Sequence, residues 1–423
     1  MDSLVAANSK FCFDLFKEIS KDGSLRNIFL CPLSLSAALG MVHLGARSDS
    51  ACQINKVLHF NEVSQNEKKE PGPRWKSNKS GVVADSPVKG QGRKEGPPDL
   101  QAGEMNSSND ALNCCFGKLL SKLYRTRADY TLSIANRLYG EQGFLICPEY
   151  LDGVVQFYHT TMESLDFRKD IEKSRQEINF WVESQSQGRI KEFFSKDTIN
   201  NTTVLVLVNA VYFKAKWENV FDYKNTVDAS FTLNENEKKS VKMMNQTGLF
   251  RIGFIEDLQA QILEMRYTKG KISMFVLLPR SSSDNLKGLE ELESKMTYEK
   301  MVECTNPETI SEETVAVSFP QFTLEDSYDL NAILQAMGIV DIFDEAKTDL
   351  TGISSSPSLY LSKFVHKTCL EVDEDGTQAV AASGAVGVTR TSYVTFNADH
   401  PFLFFIRHNK TQTLLFYGRV CSP

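Results

Sequence analysis

Residues 374–407 read EDGTQAVAASGAVGVTRTSYVTFNADHPFLFFIR, and they contain the most unusual run of the chain. The part 376–392 consists almost entirely of Gly, Ala, Val, Ser and Thr, and it carries no charge before Arg390. It lies between FVHKTCLEV (364–372) and YVTF (393–396), whose β-branched and aromatic residues predict strands. A hairpin turn needs only about two to five residues. The run is therefore too long for a turn and too apolar for an ordinary loop.

If the run 376–392 forms a strand, its side chains alternate between two faces. One face is uniformly small, as a strand that enters an already packed sheet requires. That face carries Thr377, Ala379, Ala381, Ser383 and Ala385. The single basic residue, Arg390, is of the type that fills the Asp-bottomed primary pocket of trypsin-like proteases. The run is interpreted as a substrate-like segment, and a flexible Gly/Ala linker is the alternative.

Composition limits the classes of function. The 423 residues include 47 Lys and Arg against 54 Asp and Glu, a net charge of −7, which disfavours nucleic-acid binding. A hydrophobic content of 41% is typical of a soluble globular protein. Length alone favours about two to three domains, or one unusually large domain. The nine cysteines are odd in number and scattered, which predicts reduced, mostly buried thiols.

The N-terminal segment predicts an amphipathic helix rather than a signal peptide, because it has no basic start and no apolar run. The longest apolar stretch, 204–213, is far too short to span a bilayer. We therefore expect no membrane association. The expected location is cytoplasmic or nucleocytoplasmic, or release without a cleaved signal peptide.

Residues 62–105 differ from the rest of the chain. They include five Pro, six Gly and a single aromatic residue, Trp75, so they cannot bury enough apolar surface to offset their ordering entropy. The sequence predicts a disordered surface loop. Its basic residues suggest a nuclear address or a polyanion contact, but a solvated linker is favoured because these charges are interleaved with acidic ones.

Most of the predicted elements before residue 200 are helices, and those after it are strands. Helical periodicity covers about 31–43, with Pro32 at the start, and also 111–124 and 171–187. A strand is predicted at 130–139, and strand-type runs dominate from 203 onward. This mixture indicates one large α+β domain.

Motifs of catalysis are absent from the sequence. No nucleophile elbow, zinc-protease motif, phosphate-binding loop or dinucleotide fingerprint occurs, and the six histidines are isolated. No catalytic residue, metal site or cofactor is therefore predicted, and an enzyme is disfavoured.

The quoted stretch resembles a known family. EDGTQAVAAS (374–383) and FNADHPFLFFIR (396–407) are similar to the hinge, reactive loop and C-terminal signature of the serpins. NIFLCPLSLSAALGMVHLGA (27–46), INFWVESQSQGRI (178–190), LVNAVYFKAKWE (207–218) and LFYGRV (415–420) also match. The resemblance covers the chain except 62–105. The N-terminus and the loop inserted after the third helix resemble the ovalbumin-type, or clade B, intracellular branch.

The resemblance implies a single-domain α+β fold (1–423) of about nine helices and three β-sheets, with residues 376–392 as an exposed reactive-centre loop. It also implies suicide inhibition, in which the cleaved loop inserts into the main sheet and the protease stays covalently trapped. By family convention the scissile bond follows the fourteenth residue after Gly376, which is Arg390. The expected partner is a trypsin-like serine protease that cleaves between Arg390 and Thr391. The protein is expected to be a monomer.

Further roles follow from the resemblance only. Ser34, Asn209 and His366 match a hydrogen-bonded cluster beneath the opening sheet. Trp217 matches the region where the loop first enters. The hinge comprises Glu374, Gly376, Thr377, Ala379, Ala381 and Ala382. For each, the alternative is an ordinary buried polar or aromatic group.

Three residues depart from the family pattern. Cys31 stands where Ser is usual, so a cluster hydroxyl becomes a weaker thiol partner. Gln321 occupies the position of a common basic partner, so Glu374 is expected to lack an ion pair. Val380 replaces a hinge Ala. The competing hypothesis is a non-inhibitory serpin, a binding or storage protein whose loop is only a substrate.

Overall fold

The computed structural model describes residues 2–23, 26–66, 107–123, 130–280, 285–374 and 393–423. These residues form ten α-helices and fourteen β-strands. The helices are α1 (Asp2–Ser20), α2 (Pro32–Gly45), α3 (Ser48–Val57), α4 (Phe60–Asn66), α5 (Ser107–Leu123), α6 (Pro148–Tyr158), α7 (Ile171–Gln185), α8 (Asn285–Lys295), α9 (Tyr298–Cys304) and α10 (Leu330–Met337). The strands are β1 (Ile28–Leu30), β2 (Tyr130–Glu141), β3 (Met162–Leu165), β4 (Leu205–Ala215), β5 (Val227–Thr232), β6 (Lys238–Ile255), β7 (Ala260–Arg266), β8 (Ile272–Pro279), β9 (Ser311–Pro320), β10 (Phe322–Asp329), β11 (Lys363–Val372), β12 (Val394–Asn397), β13 (Phe402–His408) and β14 (Thr413–Val420).

A five-stranded sheet has the strand order β10–β11–β4–β2–β3. Its central pair, β4 and β11, is parallel, with register from Lys363 opposite Val206 to Leu370 opposite Phe213. Both central strands are flanked by antiparallel neighbours, β10 beside β11 and β2 beside β4. The β4 sequence LVLVNAVYFKA is apolar on both faces, as expected of a central strand that is covered on both sides.

The remaining nine strands form one further sheet. It is continuous because β6 is 18 residues long and takes three different neighbours. Its start pairs with β5, its middle with β9, and its end with β7. Three sheets were expected, and the described residues show two. The reason is that β6 runs through the junction without interruption and joins two groups of strands by hydrogen bonds.

Helix α2 lies between the two sheets. It contacts β14 of the nine-stranded sheet and both β4 and β2 of the five-stranded sheet. Every one of its residues except Leu44 is buried, which explains why PLSLSAALGMVHLG has no polar face. Pro32 occupies its first turn, as predicted. Helix α2 therefore packs against the face of β4 that points toward the nine-stranded sheet.

Helix α7 covers the outer side of the same sheet. Ile178 and Val182 pack in one apolar cluster with Val206, Val208 and Val365 of β4 and β11. The guanidinium of Arg137 on β2 lies 4.3 Å from the centre of the α7 Trp181 ring. A strand added between β4 and β11 would therefore lie beneath α7.

The predicted helices and the predicted strand before residue 200 are confirmed with small shifts at their ends. The start of the predicted loop at 62 is wrong, because residues 62–66 belong to α4. Phe60 and Val63 are buried in the core, and Glu62 forms an ion pair of 2.7 Å with Lys10 of α1. The segment predicted to be a loop therefore begins after a short fourth helix rather than after the third. Residues 67–105 lie outside the described residues.

The cysteines are free thiols, as predicted, and six of the nine are buried. Along the described part of the chain, no helix is long and apolar enough to cross a bilayer.

Candidate functional site

The reactive-loop segment connects the two sheets. Strand β11 ends at Val372, and β12, the next element among the described residues, pairs in parallel with β9 of the nine-stranded sheet. Several predicted site residues lie between these strands and outside the described residues: Gly376, Thr377, Ala379, Val380, Ala381, Ala382, Arg390 and Thr391. The structure therefore describes only the part of the predicted site that precedes residue 375. This part comprises the β4/β11 pair, the cluster of Ser34, Asn209 and His366, and Glu374.

The direction of the β4/β11 pair determines what this sheet can accept. Because β4 and β11 are parallel, a chain that turns back from the end of β11 runs antiparallel to both. Insertion between them would replace one parallel ladder of eight register pairs with two antiparallel ladders. Antiparallel pairing is slightly more stable per residue. An antiparallel strand placed between β4 and β11 would therefore form hydrogen bonds on both of its sides.

The three predicted cluster residues are in contact beneath this pair. Asn209 of β4 and His366 of β11 are direct register neighbours. The Oδ1 atom of Asn209 accepts hydrogen bonds from Ser34 Oγ, at 3.1 Å, and from His366 Nδ1. Ser34, Asn209 and His366 are fully buried. The cluster thus ties α2, β4 and β11 together at one point.

Asn136 of β2 completes the cluster and was missed at the sequence level. Its Oδ1 accepts from Asn209 Nδ2, and its Nδ2 donates to the backbone oxygen of Ser34 at 3.0 Å. It lies directly opposite Asn209 in the β2/β4 register. An Asn inside a predicted strand is a weak signal by itself, since only the register between the strands shows its partner. With Asn136, the cluster joins three adjacent strands.

Both ring nitrogens of His366 have a partner, so its imidazole is neutral. Nε2 accepts from the backbone N–H of Cys31 at 3.3 Å, which makes Nδ1 the donor to Asn209. Burial lowers the pKa of His366 to about 3. A second proton would have to sit on Nε2 and face the Cys31 N–H. The closed sheet therefore requires the neutral form.

Cys31 contributes to the cluster mainly through its backbone. Its N–H donates to His366, and its carbonyl oxygen lies 3.0 Å from Ser34 Oγ, which shares its one hydrogen between this oxygen and Asn209 Oδ1. Burial raises the pKa of the Cys31 thiol to about 12. The substitution of Ser by Cys therefore places an uncharged thiol next to Ser34 and leaves both backbone contacts in place.

The region where the loop leaves the sheet is held by Trp217. The indole Nε1 donates to the backbone oxygen of Asp373 at 2.9 Å. The indole ring stacks on Tyr267, with ring centres 4.3 Å apart and planes 11° apart. The N–H of Phe221 donates to the backbone oxygen of Glu374 at 3.2 Å. These contacts fix the backbone of the last two residues before 375.

Glu374 is buried, with 3% of its surface exposed, and two uncharged donors satisfy its carboxylate. Thr226 Oγ1 donates to Oε1 at 2.6 Å, and Gln321 Nε2 donates to Oε2. No ion pair of Glu374 occurs among the described residues. The sequence did not predict that Gln321 would itself be the partner, or that Thr226 would be the second one. Neutral donors thus replace a cation at this position.

Ion pairs join the ends of β4 and β11 beside this region. Lys214 of β4 lies 3.1 Å from Glu371 of β11 and 2.9 Å from Asp373. Arg189 contacts the second oxygen of Glu371 at 2.6 Å. Although burial lowers the pKa of Lys214, its hydrogen bonds to Asp373 and Glu371 raise it overall. Any strand that enters between β4 and β11 must first separate Lys214 from Glu371.

No group of three or more potential metal ligands occurs in the described ranges. The arrangement contains a parallel strand pair, a buried neutral cluster and a buried carboxylate on two uncharged donors, and none of these places a nucleophile beside a base.

Comparisons with known proteins give a consistent result. A family model described as "Serpin (serine protease inhibitor)" matches residues 6–423. Serpin B12 of Homo sapiens is 70% identical over 425 residues, and leukocyte elastase inhibitor of Homo sapiens is 38% identical over 425 residues; each match covers 100% of both chains. The solved structure of uncleaved ovalbumin is similar with a TM-score of 0.81 and 35% identity, over 100% of both chains.

Proposed function

This chain belongs to the serpin family, and on that premise we propose that it is a suicide-substrate inhibitor of trypsin-like serine proteases rather than an enzyme. The proposal rests on two features that follow each other along the chain. The parallel pair β4/β11 leads directly into a run with one uniformly small face, and Arg390 is the first charged residue of that run. The scissile bond is Arg390–Thr391.

The proposed reaction begins as ordinary proteolysis. The protease serine attacks the carbonyl carbon of Arg390, and the amine of Thr391 leaves, which gives an acyl-enzyme ester on Arg390. The segment 375–390 is then no longer joined to the rest of the chain at its C-terminal end. Sixteen residues in extended conformation span about 53 Å. If the freed segment pairs along β11, the acyl-linked protease moves to the opposite end of the sheet.

Added backbone pairing provides the driving force. A ladder of eight register pairs between β4 and β11 is exchanged for two ladders of similar length, a net gain of about eight hydrogen bonds. At about 0.5–1.5 kcal/mol for each hydrogen bond, the gain is roughly 4–12 kcal/mol. The small residues Thr377, Ala379 and Ala381 would face the packed interior. Bulky side chains there would offset this gain.

Inhibition depends on a race between insertion and hydrolysis of the ester. The Asn209 and His366 cluster and the Lys214–Glu371 ion pair hold the sheet closed, so they oppose insertion. A change of about 1.4 kcal/mol in this barrier shifts the outcome tenfold. Closure must therefore be strong enough to prevent spontaneous insertion and weak enough to yield before the ester is hydrolysed.

The alternative is a non-inhibitory serpin that acts as a binding or storage protein. The strong hold on the loop base favours it, because Trp217 and Phe221 bind the backbone of Asp373 and Glu374, and Thr226 and Gln321 bind the Glu374 side chain. If these contacts persist after cleavage, the loop is only a substrate. For either function we propose a monomer that is cytoplasmic or nucleocytoplasmic.

Incubation with trypsin separates the two functions. An inhibitor gives a covalent adduct that survives SDS and heat, whereas cleavage after Arg390 without an adduct would leave only the alternative. Thr377→Arg should keep the cleavage and abolish the adduct, because a charged side chain on the small face blocks insertion. Arg390→Glu should abolish both, since the primary pocket of trypsin ends in a carboxylate. Full reaction of Arg390→Glu would show that the scissile bond is wrongly assigned.

A further inference from the structure

Strand β1 lies at the edge of the nine-stranded sheet. Among the described residues its only strand neighbour is β14, and all three of its residues are buried. Buried backbone N–H and C=O groups are nearly always hydrogen-bonded, and an edge strand carries a row of them that no ladder satisfies. The partners of these groups in β1 therefore show what else holds the strand in place.

Side chains of the five-stranded sheet supply these partners. The N–H of Phe29 donates to Asp326 Oδ2 of β10 at 2.6 Å, and Thr368 Oγ1 of β11 donates to the Phe29 backbone oxygen at 3.0 Å. Two residues further on, the N–H of Cys31 donates to His366 Nε2 of β11 at 3.3 Å. The segment that leads from β1 into α2 is therefore bonded to β10 and β11 by three side chains.

The register between β10 and β11 connects Asp326 with His366. Asp326 lies opposite Thr368, and Tyr328 lies opposite His366. The phenol of Tyr328 donates to the same oxygen of Asp326 at 2.9 Å, and its ring stacks on the His366 ring with centres 6.3 Å apart. Asp326 thus reaches His366 by two routes, through Tyr328 and through the backbone of β1.

Asp326 forms the strongest of the three bonds to this segment. Its bond to Phe29 is the shortest, and it is the only one with a carboxylate, which makes a hydrogen bond roughly twice as strong as one between neutral groups. The bond between Cys31 and His366 is the longest and joins two neutral groups. Because Phe29 and Cys31 are two residues apart in the chain, the position of the Cys31 N–H depends on how Phe29 is held.

The groups around Asp326 favour its charged form overall. Burial raises the pKa of the Asp326 carboxyl, and the hydrogen bonds from Tyr328 and Phe29 and the charge of Arg26 oppose this rise. Arg26, which precedes β1, lies 5.8 Å from the centre of the Tyr328 ring and is paired with Asp22 at 3.4 Å. Toward β11 the neighbouring ring is the neutral His366. A carboxylate therefore accepts from both donors at neutral pH.

We propose that Asp326 is a positioning residue for the contact between His366 and Asn209. It fixes Phe29 against β10, and this places the Cys31 N–H on His366 Nε2. The hydrogen bond at one ring nitrogen determines which nitrogen carries the proton. With Nε2 occupied, the proton stays on Nδ1 and is donated to Asn209 across the β4/β11 pair. Asp326 thereby strengthens the contact that opposes insertion, and this consequence rests on the proposed function.

Two replacements of Asp326 separate positioning from packing. Asp326→Asn keeps an oxygen that accepts from Phe29, whereas Asp326→Leu is of similar size and accepts no hydrogen bond. NMR of isotope-labelled histidine nitrogens, with His366→Gln to assign the signals, reports the tautomer at neutral pH. We expect a single tautomer protonated on Nδ1 in the wild type and in Asp326→Asn, and a mixture of both tautomers in Asp326→Leu. A single unchanged tautomer in Asp326→Leu would overturn the proposal, even if this variant has a lower melting temperature.

The second measurement is the rate at which a synthetic peptide of residues 376–390 adds to the sheet, followed on native gels. This rate should rise about 2- to 10-fold in Asp326→Leu, since one hydrogen bond that supports closure is lost. Asp326→Asn should stay close to the wild type. The matched control is Glu325→Leu, at an exposed position of the same strand, with no expected change. Equal rates in Asp326→Leu and Glu325→Leu, or no addition of the peptide to any of these proteins, would contradict the proposal.

The peptide measurement uses no protease. If the wild type adds the peptide but traps no trypsin, the proposed inhibition fails and the role of Asp326 is still decided by the variants. Thr368→Val serves if Asp326→Leu does not fold, because it removes the bond to the other side of Phe29 with little change in volume. It should also give a tautomer mixture and faster peptide addition. An unchanged tautomer and rate in Thr368→Val would then refute the positioning of His366 through β1.

Discussion

His366 should make the closed sheet sensitive to acid. The ring is fully buried, neutral and bonded through both nitrogens, to Cys31 and Asn209. In the unfolded chain its pKa is about 6.5, and burial lowers the folded value to about 3. As the pH falls below 6.5, the unfolded state takes up a proton and the folded state does not. The free energy of unfolding therefore decreases with falling pH between about 6.5 and 3.

The size of the effect follows from the two pKa values. Each pH unit in this window costs about 1.4 kcal/mol, so His366 removes roughly 2 kcal/mol at pH 5 relative to pH 7 and about 5 kcal/mol near pH 3. Roughly 2 kcal/mol corresponds to a decrease of about 2 to 3 °C in Tm for a chain of this size. His43 also has a pKa lowered to about 4 by burial, so the wild type has a second source of acid sensitivity.

The variant His366→Gln isolates the contribution of this ring. A glutamine can accept from the Cys31 N–H and donate to Asn209, but it does not titrate. Thermal unfolding of both proteins at pH 7 and pH 5 should show that the wild type loses roughly 2 kcal/mol more than the variant. Equal losses would refute the buried neutral histidine, and a larger loss in the variant would reverse the sign of the linkage.

Two further predictions concern side chains near the C-terminal ends of β4 and β11. Lys214→Met removes the ion pair to Glu371 and should lower the insertion barrier by about 1 kcal/mol, so fewer inhibitor molecules should be cleaved for each trypsin trapped. Lys242→Met breaks the exposed pair with Asp228 and is the matched control, with no expected change in that ratio; an equal change in both variants would contradict the role of Lys214. Gln321→Leu leaves one oxygen of the buried Glu374 carboxylate without its donor and should cost about 1–3 kcal/mol of unfolding free energy. Gln321→Lys should recover most of that loss by forming an ion pair, and no loss in Gln321→Leu would mean that another group satisfies Glu374.

The local part of the fold could be predicted because its signals lie within single segments. Pro32 followed by an unbroken apolar run indicates the buried helix α2, and LVLVNAVYFKA indicates a central strand. The loop boundary at 62 was wrong because α4 has only seven residues, too few to be stable alone. It is held by tertiary contacts of Phe60 and Val63, and no local pattern shows those contacts.

The candidate site required information that no local pattern contains. Ser34 and His366 contact Asn209, although 175 and 157 residues of sequence separate them from it. At the level of sequence, only the resemblance to the serpins grouped these three residues. Asn136 and Thr226 were missed because each is an ordinary polar residue until strand register places it beside Asn209 or Glu374. The loop residues remain a prediction, since they lie outside the described residues.

The central claim is that a protease is trapped on Arg390 when the chain is cut there. After reaction with trypsin and denaturation, mass spectrometry should find two products. One is residues 1–390 joined covalently to trypsin, and the other is a free peptide of 33 residues that begins at Thr391 and ends at Pro423. A free 1–390 fragment beside unmodified trypsin, or a peptide that begins at any other residue, would contradict the account.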